Sequence, residues 1–79
     1  MSYNHVRRQG FDFWYEIEKN EFVAKNSVSV TVVCAEEPDE VRTTFLHSHS
    51  NEDPIECAKN TIRWWAKDIL SNIREHRND

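Results

Sequence analysis

Glycine is almost missing from this 79-residue chain: Gly10 is the only one, and proline occurs twice, at Pro38 and Pro54. A chain so poor in both holds no long flexible linker, and it has no glycine-rich turn to cradle a phosphate. Cysteine is also scarce. Cys34 and Cys57 are too few for a disulfide scaffold and read as reduced thiols. No apolar run approaches the ~20 residues that a membrane-crossing helix needs. The opening stretch MSYNHVRRQG has charge but no apolar core, so no secretory signal is expected and the expected location is cytoplasmic.

The chain is otherwise ordinary for a small soluble domain, with 38% hydrophobic and 30% charged residues. Its net charge of −4 is unevenly spread. Residues 1–10 hold Arg7 and Arg8 and no acid. Residues 11–53 hold ten acids against Lys19, Lys25 and Arg42, a net of −7. Residues 54–79 hold five basic residues against four acids, a net of +1. An acidic balance argues against coating nucleic acid, which needs clustered positive charge, but leaves room for a local basic face.

Periodicity divides the chain. In GFDFWYEIE, Phe11, Phe13, Tyr15 and Ile17 alternate with Asp12, Trp14, Glu16 and Glu18, the period-2 pattern of a half-buried strand. SVSVTVVCA is a second, β-branched strand, with Val28, Val30, Val32 and Cys34 on one face and Val33 on the other. EEPDE reads as a loop, and VRTTFLHSH as a third strand that places Val41, Thr43 and Phe45 inward and Arg42, Thr44 and Leu46 outward. Asp53, Pro54 and Glu56 mark a helix start: a capping side chain, a proline at the first position and an acid at the third. Ile55, Ala58, Ile62, Trp65, Ile69 and Ile73 then follow helical spacing.

The expected fold is α+β, a three-stranded antiparallel β-meander followed by one long C-terminal helix packed on one face (βββα). Residues 1–9 are expected to be a flexible basic arm, 10–50 the meander and 53–76 the helix. The expected core is Phe11, Phe13, Tyr15, Val28, Val30, Val32, Phe45, Ile62, Trp65 and Ile69.

One segment invites a catalytic or metal reading. HSHSNEDPIEC, residues 47–57, offers His47, His49 and Cys57, residue types that ligate zinc, and His-x-His puts both rings on one strand face. The competing account needs no metal: Asp53 and Glu56 cap the helix, and a single His-x-His is far less specific than paired Cys-x-x-Cys motifs. FLHSHS resembles the His-Ser/Thr-His-Pro segment of the JAMM/MPN⁺ zinc isopeptidases over six residues. Ser50 stands where that family has proline, Ala58 and Thr61 stand where it has serine and aspartate, and the chain is much shorter than that domain. No cofactor, metal or catalytic activity is therefore expected. Glu16 and Glu18 share a strand face, and a solvated outer surface is the expected role of both.

Two surfaces remain. One helix covers one face of a sheet, so Trp14, Val33 and Leu46, rimmed by Arg42, are expected to form an apolar patch on the other. Along the helix, Lys59, Arg63, Lys67, Arg74 and Arg77 form a basic stripe beside an outward Trp64. The favoured reading is a small non-catalytic protein-binding module that acts by occupying a surface of a partner protein or complex, with a homodimer as another way to cover the patch. Compact inhibitors and regulators of phages and mobile elements, anti-CRISPR and antitoxin-like proteins among them, are similar in size and architecture. The alternative is a nucleic-acid-binding module using Arg63, Trp64 and Lys67, and the third reading is zinc at His47, His49 and Cys57.

Overall fold

In the computed structural model, residues 3–19, 27–47 and 51–77 are described, with side chains up to Ile73. The elements run β1 (Asn4–Arg8), β2 (Phe11–Lys19), β3 (Val28–Cys34), β4 (Glu37–Leu46) and α1 (Pro54–Arg77). The strands form an antiparallel sheet in the order β1-β2-β3-β4. The class is α+β as expected, but the sheet has four strands rather than three. The segment read as a flexible arm supplies the extra one.

Chain reversal between β1 and β2 depends on the lone glycine. Arg8 pairs with Phe11, leaving Gln9 and Gly10 as a two-residue turn with φ of 54° and 84°. Two successive positive φ angles match the twist of a tight hairpin, and glycine adopts them without steric cost. Val6 is the one apolar residue that β1 turns inward, opposite Phe13. One apolar position does not make an alternation, which is why periodicity missed this strand.

β3 and β4 meet at a second tight turn, Ala35–Glu36, whose Ala35 N–H donates to the Asp12 carbonyl at 3.0 Å. The ladder then slips. Cys34 pairs with Glu37, but Val33 pairs with Val41, so Pro38, Asp39 and Glu40 oppose no residue of β3. Three extra residues invert the parity of all that follows. Arg42, Thr44 and Leu46 lie opposite Val32, Val30 and Val28 and face the helix, whereas Val41, Thr43 and Phe45 face away. The expected orientation of this strand is therefore reversed: Phe45 is 52% exposed and Leu46 only 7%.

Asp53 caps α1 as the sequence suggests, its Oδ1 accepting the Ile55 N–H at 3.1 Å. Phe13, Val30, Val32, Cys34 and Leu46 are buried against Cys57, Ala58, Ile62, Trp65, Ala66 and Ile69. Phe11, Tyr15 and Val28 flank this cluster, half-buried. The ends of the predicted stripe, Ile55 and Ile73, are exposed, while Cys57 joins the core. Trp65 is the centre: fully buried, edge-on to Phe13 at 5.8 Å, with its indole N–H donating to Glu37 Oε1 at 2.6 Å.

Arg42 explains how a charged residue sits on the inner face. The helix packs mainly over β3 and β2 and reaches β4 less. The Arg42 guanidinium lies 4.5 Å from the Trp65 ring centre, with Nε 2.6 Å from Glu40 and a terminal nitrogen 3.3 Å from Asp68. Burial opposes the charge, but the Glu40 and Asp68 carboxylates outweigh it and raise its pKa. Arg42 thus closes the margin of the core with its flat face on an aromatic ring and its edges on carboxylates.

Candidate interaction surfaces

Across the uncovered face of the sheet, the registers align His5, Trp14, Val33 and Val41 in one row, one residue from each strand. Trp14 and Val33 are half-buried by their neighbours, and Val41 is 58% exposed. The His5 ring packs 5.2 Å from the Trp14 ring, and its Nε2 lies 2.9 Å from Asp12 Oδ1. Phe45 and Tyr3 extend the aromatic and apolar surface at opposite edges. Of the residues expected in this patch, Trp14 and Val33 are present together. Leu46 and Arg42 are not: the slipped ladder puts both on the helix side. Val41 and Phe45 take their place, and the signal for them was their own alternation, which fits either face equally well.

Glu16 and Glu18 adjoin this patch. Glu16 is buried although it lies on the uncovered face, and it accepts hydrogen bonds from the Tyr3 hydroxyl and the Glu18 carboxyl. The hydrogen bond to Glu16 and the Glu16 charge raise the pKa of Glu18, and the same two causes raise that of Tyr3. A carboxyl that holds its proton for a neighbouring carboxylate is a local consequence of like charges on one strand face.

On the outer side of α1, Lys59, Arg63, Trp64 and Lys67 are all exposed, Trp64 by 61%. Lys67 Nζ sits 4.7 Å from the Trp64 ring centre, so one face of the indole is already occupied by the chain's own cation. Arg74 and Arg77 lie in the last turns, where side chains are outside the described residues.

The zinc reading rests on three residues, of which two are described. His47 is exposed, His49 lies outside the described residues, and Cys57 is buried. Burial, and then the Glu52 charge, push the Cys57 thiol above its ordinary pKa, with the Thr44 and Thr61 hydroxyls opposing them. Among the described residues no group of three or more His, Cys, Asp or Glu is placed to hold a metal ion. A cleft of about 500 Å³ lies against the slipped part of β4 and is lined by Glu36, Glu37, Pro38, Asp39 and Glu40, which supply charge but no nucleophile or base–nucleophile pair. Among the described residues no helix is long and apolar enough to cross a membrane. No protein-family model, curated protein or solved structure matches this chain.

Proposed function

We propose that this protein is a non-catalytic binding module that acts by occupying a partner protein's surface with the uncovered face of its sheet. One observation carries the reading: the registers bring Trp14, Val33 and Val41 into a single row on the face the helix does not cover. An indole flanked by Val33 on one side and His5 on the other, with Asp12 and Glu16 beside it along β2, has the anatomy of an interface margin: a large apolar anchor next to a polar border. Protein is favoured over nucleic acid because this face is rimmed mainly by acids, and phosphates would be repelled from it. The basic helix face is the weaker candidate for nucleic acid, since Lys67 already covers one side of Trp64 and Asp68 is exposed beside it.

The test is Trp14→Ala. The fold should survive, with stability changed by less than ~1 kcal/mol, because neighbouring strands rather than the helix core hold Trp14. Affinity for a partner captured by the wild-type protein should fall by about 2 kcal/mol or more, the scale of an anchor residue. A variant that unfolds would make Trp14 a core residue, and a folded variant with unchanged affinity would move the site elsewhere.

A further inference from the structure

The sheet has two edges of opposite character. β1 carries His5, Arg7 and Arg8 within five residues. Paired with a copy of itself about Arg7 it would set guanidinium against guanidinium, and about Val6 it would set Arg7 against His5; charged side chains of this kind protect an edge from unwanted pairing. Among the described residues, β4 is protected only at its start, where Pro38 and the acids Glu37, Asp39 and Glu40 lie in or beside the slipped segment. From Val41 to Phe45 the one charged residue is Arg42, and its side chain is turned inward onto Trp65, Glu40 and Asp68. Outward stand Val41, Thr43 and Phe45, with Val41 and Phe45 more than half exposed. Among the described residues no strand pairs with the far side of β4. Its backbone N–H and C=O groups there form an unprotected template.

We infer that this edge binds a second copy of the chain, β4 pairing antiparallel with β4 about a two-fold axis at Thr43. Residues directly opposite in an antiparallel pair lie on the same face, so a symmetric pairing must centre on a residue rather than between two. Centring on Arg42 opposes two guanidinium-bearing residues. Centring on Thr44 opposes Arg42 to Leu46. Centring on Phe45 leaves Val41 without an apolar partner among the described residues. Centring on Thr43 sets Val41 against Phe45 twice, an aromatic against a β-branched residue, with Arg42 opposite Thr44 and the two threonines on the axis. A two-fold pairing closes on itself and ends at a dimer. It joins the two sheets into eight strands with both helices on one side, and it runs the two Trp14–Val33–Val41 rows into one continuous face. Five paired residues bury less than the ~800 Å² per partner of a standard interface, so the dimer is weak and concentration-dependent. The proposal does not depend on the binding reading of Trp14: Val41 and Phe45 belong to both surfaces, but the pairing rests on the free backbone edge of β4, which Trp14 does not reach.

Two variants test it, with sedimentation and a short thiol-to-thiol cross-linker as readouts. Cys34 and Cys57 are buried, so a cysteine introduced at an exposed position is the accessible thiol. Thr43→Cys should cross-link to a covalent dimer, because opposed Cα atoms lie about 4.5–5.5 Å apart. Phe45→Cys should not, because this register separates the two positions by about four residues of strand, or ~13 Å. Thr43→Lys should keep the wild-type circular dichroism spectrum and weaken the dimer about tenfold or more, while Trp14→Ala should leave the dimer unchanged. A wild-type protein that stays monomeric at millimolar concentration, or grows into open-ended assemblies, overturns the proposal. Cross-linking through Phe45→Cys in preference to Thr43→Cys overturns the register.

Discussion

On the helix side of the sheet, Phe13, Val30 and Val32 are sealed beneath Trp65, and even the charged Arg42 is drawn in as a lid on its ring. On the opposite side, Val41 and Phe45 stand more than half exposed on the face that holds Trp14, and the buried polar residues are Ser29 and Glu16, the latter one of three acids that β2 presents there. The same four strands build both faces. The first face is complete within the chain, since each large side chain has its cover and the Trp65 N–H has Glu37 as acceptor. The second carries apolar groups and like charges together, a combination that costs stability in isolation and suits a surface that meets something else. Stability and recognition are thus divided between the two sides of one sheet, and mutations should report that division.

The largest effect is expected at the centre of the covered face. Trp65→Ala removes a fully buried indole, its contact with Phe13 and the support under Arg42. A loss of about 3–5 kcal/mol is expected, a large share of the stability of a domain this small, and denaturant titration measures it. A sharper test uses two neighbours on one strand. Leu46→Ala should cost about 2–5 kcal/mol and Phe45→Ala within about 0.5 kcal/mol, although phenylalanine is the larger residue. Equal costs, or the reverse order, would restore the unslipped register and erase the distinction between the faces.

The smallest effect concerns the acids of the open face. Glu18 holds its proton more firmly when folded, so its contribution to stability is full below its unfolded pKa and fades as pH rises through the raised folded value. Once the pH passes that raised value, Glu18 gives up its proton, loses its donor to Glu16 and meets the Glu16 charge. Glu18→Gln keeps a donor to Glu16 without the charge. Its melting temperature should be slightly above wild type at neutral pH and converge with it in acid. A difference that persists in acid would separate Glu18 from Glu16.

The slipped ladder also marks where reading residues in order stops working. β2 and β3 were legible because Phe13, Tyr15 and Ile17, and Val28, Val30 and Val32, alternate with residues that, Trp14 apart, are polar: Asp12, Glu16 and Glu18 in β2 and Ser29 and Thr31 in β3. β4 was not, because Val41–Thr43–Phe45 and Arg42–Thr44–Leu46 are both plausible inner faces, and three unpaired residues before them decide between the two. Trp14 and Val33 were therefore placed correctly beside each other, whereas Leu46 and Arg42 were assigned to a patch from which the slip removes them.

By itself, the sequence determined the α+β class, the strands with clear alternation, the capped start of α1 and the outward position of Trp64, because each follows from neighbours a few residues apart. Only the tertiary structure decided the fourth strand, the inversion of β4 and the burial of Cys57. Val6 becomes strand by pairing with Phe13, Arg42 becomes an inner residue by finding the Trp65 ring, and Cys57 becomes core where the helix crosses the end of the sheet near Thr44. Those outcomes depend on partners 7 to 23 positions away along the chain, and local periodicity carries no record of them.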